Sequence, residues 1–189
     1  AAGPWYVDPA GNDGNDCLST GSACQTIAAA IGKASAGDTI NLAAGTYTEN
    51  VTVTKALTFV GADAATTIVD GGGTGRVFQI DSVTSNVSFT DLTIQNGLAA
   101  VDGGGINSAA PLTLTQVNIY SNTAANYGGG VYAGGLLVAS NSRFQNNRLT
   151  GNWYGGGAYA NAAVSLTNVT FYSNTTIGPG TGNGGGLYA

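Results

Sequence analysis

Ten carboxylates carry most of the acid–base capacity of this 189-residue chain: Asp8, Asp13, Asp16, Asp38, Glu49, Asp63, Asp70, Asp81, Asp91 and Asp102. Cleaving a bond by acid–base chemistry needs two such groups within reach of it. Asp70, Asp81, Asp91 and Asp102 follow one another at intervals of 11, 10 and 11 residues. That interval does not match the longer repeat described below, so these side chains are expected to scatter around the molecule. Histidine is absent, which excludes Ser–His–Asp catalysis. The "DGGG" stretches at 70 and 102 read as turns, because no lysine-bearing strand–glycine–helix unit follows either. One metal candidate remains, in "DPAGNDGND" (8–16), where Asp8, Asp13 and Asp16 lie beside Asn12 and Asn15. Hard oxygen ligands at such spacing suit calcium, and a loop of Asx turns is the alternative. No other cofactor is expected.

Aromatic side chains offer a second kind of site. Tyr132, Tyr159 and Tyr188 share one register, Tyr127 and Tyr154 another, and Trp153 is adjacent. If Val131 faces inward, alternation points these tyrosines outward on one face. They read either as packing that stiffens the molecule or as a flat surface for a sugar or partner.

Charge narrows the partners. The net charge is −5, and Lys33, Lys55, Arg76, Arg143 and Arg148 are all the cations, so no basic patch for nucleic acid exists. No apolar run reaches the roughly 18 residues of a membrane-spanning helix. Cys17 and Cys24 close the loop "CLSTGSAC" and read as a disulfide, with two free thiols as the alternative. A disulfide, and a chain that opens on Ala1 without Met or a signal peptide, suit a processed, exported protein.

The elements that position these residues follow from a repeat. Gly triplets begin at 103, 128, 155 and 184, at intervals of 25, 27 and 29. Ile94, Ile119, Phe144 and Phe171 keep the same step, as do Val87, Leu112, Leu137 and Val164, and Leu92, Val117, Ser142 and Val169. Within each unit, runs such as "LTLTQVNIYSN" (112–122) alternate apolar with Ser/Thr, the period of a strand. The phase slips between Leu114 and Val117, which marks a corner. Three short strands in about 26 residues fit one coil of a parallel β-helix. Asn122, Asn147 and Asn174 recur at another corner and are expected to form a hydrogen-bonded structural ladder.

"FQNN" (144–147) and "FYSN" (171–174) match F-x-x-N, and "GGGV", "GGGA" and "GGGL" match G-G-x-aliphatic. The pair resembles the repeats of polymorphic outer-membrane proteins, over residues 87–189. "IYSN" (119–122) departs by Ile for Phe, and "IQNG" (94–97) departs further. The stretch 37–62 is similar to the first coils of pectin-lyase-like solenoids. The resemblance implies an all-β, right-handed parallel β-helix of about six coils, displayed on a bacterial surface.

In "CQTIAAAIGKASAG" (24–37), Ile27, Ala30, Ile31 and Ala34 fall on one face of a helix ended by Gly37. Residues 1–36 therefore read as a cap, with "PWYVD" (4–8) as a strand of it, and 37–189 as coils. The chain stops in mid-repeat at Ala189, so further repeats, or another copy docked head to tail, are expected to cover the last coil. The leading functional expectation is a non-enzymatic extracellular or cell-surface protein: a β-helical stalk, adhesin passenger or fibre subunit, with a glycan or cell surface as further partner. The rivals are a fragment of a polysaccharide lyase or hydrolase, and an ice-binding module built on outward Thr52/Thr54 and Thr113/Thr115. Asn50, Asn86, Asn168 and Asn174 head N-x-S/T triplets, the acceptor pattern for glycosylation.

Overall fold

A computed structural model describes residues 3–82, 86–177 and 184–189. Alternation of apolar and polar residues makes strands, and each strand pairs in parallel with its counterpart one coil away. Strands Thr39–Leu42, Thr58–Gly61, the first half of Val87–Gln95, the first half of Leu112–Tyr120, Leu137–Ser140 and Val164–Thr167 form one face. The second face holds Gly45–Thr48, Thr67–Asp70, the second halves of the same two long strands, Arg143–Gln145 and Thr170–Tyr172. Val51–Val53, Phe78–Ile80, Ile106–Ser108, Val131–Ala133, Ala158–Ala160 and Leu187–Tyr188 form the third. Two-residue strands Leu98–Ala99, Thr123–Ala124, Arg148–Leu149 and Thr175–Thr176 stack between the second and third faces. Among the described residues, the fold is a parallel β-helix with six strand tiers on each of the three faces, joined by five coil-to-coil steps, and strand Trp5–Val7 adds a further strand to the first face.

Two inward columns are in register throughout, and a third, Leu92 with Val117, is paired over its first step before Ser142 takes the Val117 N–H on its hydroxyl. Val87, Leu112, Leu137 and Val164 pair in sequence, as do Ile94, Ile119, Phe144 and Phe171. Phe59 and Phe89 stack with ring centroids 4.9 Å apart, and Phe144 and Phe171 at 4.7 Å. One continuous apolar core results, from Trp5 at one end to Ala160 at the other. The phase slip before Val117 is a corner in which Gln116 has φ of 54°, and Asp91, Asn141 and Asn168 take the same conformation in their coils.

The Gly triplets have two separate causes. The first glycine of each, Gly103, Gly128, Gly155 and Gly184, lies at positive φ. The others sit where one coil's backbone rests on the next: a Cβ on Gly129 would approach the Gly156 oxygen to 2.3 Å, and one on Gly156 the Gly185 oxygen to 2.6 Å. No side chain fits there.

The asparagine ladder is present, with a refinement. Asn122 Nδ2 donates to Asn147 Oδ1 at 3.1 Å and Asn147 Nδ2 to Asn174 Oδ1 at 2.9 Å. Each amide also donates to a strand carbonyl, of Ile94, Ile119 and Phe144 respectively. The positive-φ residue at this corner is the preceding one, Ser121, Asn146 or Ser173. The ladder asparagines turn inward, where their two donors and two lone pairs satisfy backbone that no neighbouring strand reaches.

Helix Ile27–Lys33 lies across the first coil and buries Ile27, Ala30 and Ile31. It stops at Lys33, four residues before Gly37, because Ala34 is already extended. Thr26 caps its first turn by accepting from the Ala29 N–H. Glu49 from the first coil accepts from the Ile27 and Ala28 N–H groups, and Lys55 donates to the Ile31 and Ala34 carbonyls. A negative charge at the N-terminus and a positive one at the C-terminus both favour the helix dipole. Strand Trp5–Val7 pairs with Ile40, Asn41 and Leu42 on one edge. Its other edge is closed by the backbone of the disulfide-bonded Cys17 and Cys24: Tyr6 N–H donates to the Cys17 carbonyl and Cys24 N–H to the Tyr6 carbonyl.

Candidate functional site

The carboxylates are distributed, not convergent. Asp13 accepts from the Gln25 and Thr26 N–H groups and the Thr26 hydroxyl, Asp16 from Leu18 N–H and the Ser22 hydroxyl, and Asp8 from Ala10 N–H. Asp8, Asp13 and Asp16 thus point to separate donors, Asp13 to the helix cap and Asp16 to the disulfide loop. Among the described residues, no three or more His, Cys, Asp or Glu side chains gather as a set able to hold a metal ion. Asp70 is bonded to Gly72 N–H, Gln95 and Asn96, and Asp91 to Gln116. Several are held ionised by these bonds. The Ser22 hydroxyl and Leu18 N–H hold Asp16 below the usual carboxylate range, and the Trp5 indole and Ser35 N–H do the same to Asp38. Glu49 moves the other way, because burial pushes its carboxyl up more than its helix bonds pull it down.

The third face carries the most organised outer surface. One outward residue per coil falls on a straight column: Thr52, Gln79, Asn107, Tyr132, Tyr159 and Tyr188. Tyr132 and Tyr159 lie 5.6 Å apart with 6° between ring planes, and Tyr159 and Tyr188 5.6 Å apart with 3°. This is offset stacking at the spacing the coils impose. Tyr127 packs on Tyr159 at 4.5 Å and Tyr154 on Tyr188 at 4.4 Å, from the loops that precede the Gly triplets. Trp153 abuts Tyr127 at 5.1 Å and is 45% exposed. Six aromatic side chains therefore form one wall over three coils, joining both tyrosine registers that the sequence kept separate.

At its N-terminal side the wall meets polar groups that the sequence did not single out. Arg76 is half-buried; its Nε donates to the Gly103 carbonyl at 2.9 Å, its guanidinium also reaches the Asp102 carbonyl, and Nη1 donates to Gln79 Oε1. Asp102 Oδ1 accepts from the Tyr127 N–H at 3.1 Å. Burial among the rings, with the nearby Asp102 charge, pushes the Tyr127 and Tyr132 phenols up.

A second outer surface is built of hydroxyls. On the first face, Thr39, Thr58, Ser88, Thr113, Val138 and Ser165 form one outward column, and Asn41, Val60, Thr90, Thr115, Ser140 and Thr167 its neighbour. Ser88 hydrogen-bonds to Thr58 at 3.1 Å and Ser140 to Thr115 at 3.4 Å. Thr52 belongs to the third face, so Thr52/Thr54 and Thr113/Thr115 do not share one array. Of the glycosylation acceptor patterns, Asn174 lies in the ladder, Asn50 donates to the Arg76 carbonyl and Asn168 to Asn141.

No protein-family model matches the chain, and comparison with curated proteins finds no relative. Among solved structures, the fold is similar to pectin methylesterase PemA from Erwinia chrysanthemi, with a TM-score of 0.59 at 17% identity, over 89% of this chain and 55% of the enzyme. It is similar also to a pectin methylesterase in complex with a hexasaccharide, with a TM-score of 0.58 at 16% identity over the same shares. The chain thus spans about half the length of these enzymes. At such identity the likeness is one of architecture: the pectin-lyase-like parallel β-helix.

Proposed function

We propose that this chain is an exported, non-enzymatic β-helical scaffold: part of a stalk, adhesin passenger or fibre that presents a lateral face at a cell surface. The observation that carries the reading is the contrast between inside and outside. The glycine contacts, the Asn122–Asn147–Asn174 ladder and the apolar columns repeat coil after coil, whereas the outward column changes from Thr52 through Gln79 and Asn107 to three tyrosines. Such a frame holds a surface rigidly without moving parts. The F-x-x-N and G-G-x-aliphatic repeats, which resemble surface-displayed passengers, support the same reading. So does the Cys17–Cys24 disulfide, a bond that persists in oxidising compartments.

The likeness to pectin methylesterases favours a second reading, a fragment of a polysaccharide-acting enzyme. One assay separates the two. Purified chain is incubated with methyl-esterified pectin and with polygalacturonate, and methanol, reducing ends and unsaturated products are followed. The scaffold reading expects none of the three above buffer. Turnover that co-purifies with the chain and disappears in Asp102→Asn would establish the enzyme instead.

A further inference from the structure

We infer that the aromatic wall of the third face, continued by Asn107 and Gln79, is a binding track for a neutral, extended polysaccharide lying along the axis of the β-helix. The inference rests on the scaffold reading and names its ligand class. Its first support is register. Gln79, Asn107, Tyr132, Tyr159 and Tyr188 supply one contact per coil on a straight line. Parallel strands stack about 4.8 Å apart, a step close to the length of one sugar in an extended chain. A ligand that repeats at this step meets an equivalent contact at every unit. A compact ligand would use one.

The chemistry changes along the track in a way a sugar polymer matches. Tyrosine and tryptophan offer apolar ring surface for the C–H faces of pyranoses, together with polar tips. Further toward the N-terminus, the Asn107 and Gln79 carboxamides are donors and acceptors suited to hydroxyls. Arg76 holds the Gln79 carboxamide oxygen, so the NH2 group is what Gln79 has to offer a ligand hydroxyl. The rings of the wall already touch one another, so little side-chain freedom is lost when a ligand lands.

Charge selects among polysaccharides. The chain carries a net charge of −5. Its lysines are committed to the cap, Lys33 on the Asp13 carbonyl and Lys55 on the helix C-terminus. Arg143 and Arg148 lie on strands of other surfaces. Among the described residues, Arg76 is the cation beside the track, and it is turned onto backbone carbonyls, with Asp102 next to it. A polyuronate would bring negative charge toward Asp102 with no free cation among the described residues there to receive it. A neutral chain avoids that cost.

Of the two tryptophans, Trp5 is buried in the cap and Trp153 is exposed in the wall, so Trp153 dominates any ligand-induced change in fluorescence. The test titrates cellohexaose, xylohexaose, mannohexaose and hexagalacturonate into the 1–189 chain and follows that emission. At least one neutral oligosaccharide is expected to bind saturably, with hexagalacturonate silent. Tyr159→Ala is expected to weaken binding roughly tenfold or more. Asn107→Ala, whose side chain projects outward from a short strand, should weaken it by a smaller factor and serves if Tyr159→Ala does not fold. Tyr120→Ala, an exposed tyrosine of the second face, should leave binding unchanged. Silence with all three neutral probes, a response to hexagalacturonate alone, or unaltered binding by a folded Tyr159→Ala variant overturns the track. So does concentration-dependent sedimentation that Tyr159→Ala abolishes in the absence of sugar binding, because the wall would then be a contact between copies. Pectin turnover would defeat the scaffold reading while leaving this binding result intact.

Discussion

Phe144 and Phe171 occupy the same column, one coil apart, with rings stacked, yet Phe144 is fully buried and Phe171 only partly so. The same holds one column over, where Ala139 is buried and Leu166 is 38% exposed. At the other end of the solenoid the comparison reverses. Ile40 and Phe59 in the first two coils are as buried as any residue in the middle, because helix Ile27–Lys33 and strand Trp5–Val7 lie over them. Burial along the repeat thus follows what packs on each coil. Inward direction comes from alternation, but burial comes from a neighbour. The closed end also cannot offer Trp5–Val7 to another copy, since both its edges are already paired.

Substitutions along one column test this difference most strongly. Phe144→Ala should cost about 3–5 kcal/mol, measured by denaturant unfolding, and Phe171→Ala only about 1–2 kcal/mol. Equal costs would mean that the last coil is covered in solution. Next in size is the cap. The Cys17–Cys24 bond closes a loop of sequence separation 7, and its reduction should lower stability by roughly 2–3 kcal/mol. Because the Cys17 and Cys24 backbones seal strand Trp5–Val7, hydrogen exchange should rise first at Trp5–Val7 and last at Leu112–Tyr120. Uniform exchange would show that the cap and the coils open together.

The asparagine ladder gives a smaller version of the same contrast. Asn147→Ala removes the donor to the buried Ile119 carbonyl and the acceptor for Asn122, at about 2 kcal/mol. Asn174→Ala should cost less, because Asn174 is only partly buried where Asn147 is fully buried. The smallest effect is expected from pH. Asp16 and Asp38 have folded-state pKa values below their unfolded ones, so their stabilisation is present above about pH 4 and is lost as pH falls through the lowered values. Glu49 opposes this: its raised pKa makes the folded state the better proton binder, so its contribution weakens as pH rises through the carboxylate range. With Asp13 and Asp70 also lowered, acidification below about pH 4 should destabilise the protein overall. A melting temperature that climbs between pH 5 and pH 2 would show that Glu49 outweighs the four aspartates.

How far the site was legible depended on which coils held it. From Val87 onward the first- and second-face columns step by 25, 25 and 27 residues, and Tyr132, Tyr159 and Tyr188 step by 27 and 29 with the Gly triplets, so they could be aligned by counting. In the early coils the same kind of column runs Ile40, Phe59, Phe89, with steps of 19 and 30. Counting fails there. Arg76 and Gln79 therefore gave no signal, and Thr52 could not be separated from the first-face threonines. Asn107 stands 25 residues before Tyr132 and could have been counted into the column, but it has no ring to mark it as part of an aromatic face. The Tyr127 and Trp153 contacts were hidden for a different reason: both lie in loops, where no strand period dictates direction.

Alternation, glycines at a fixed step and a recurrent asparagine were enough to determine a parallel β-helix with a helical cap, since these are local preferences repeated until only one stacking satisfies them. The tertiary structure alone decided that two tyrosine registers merge into one wall, that Arg76 turns onto carbonyls beside Asp102, and that Asp8, Asp13 and Asp16 face different donors. Each of these depends on how a corner bends and on the coil stacked above it, which are distances in space that no spacing along the chain encodes.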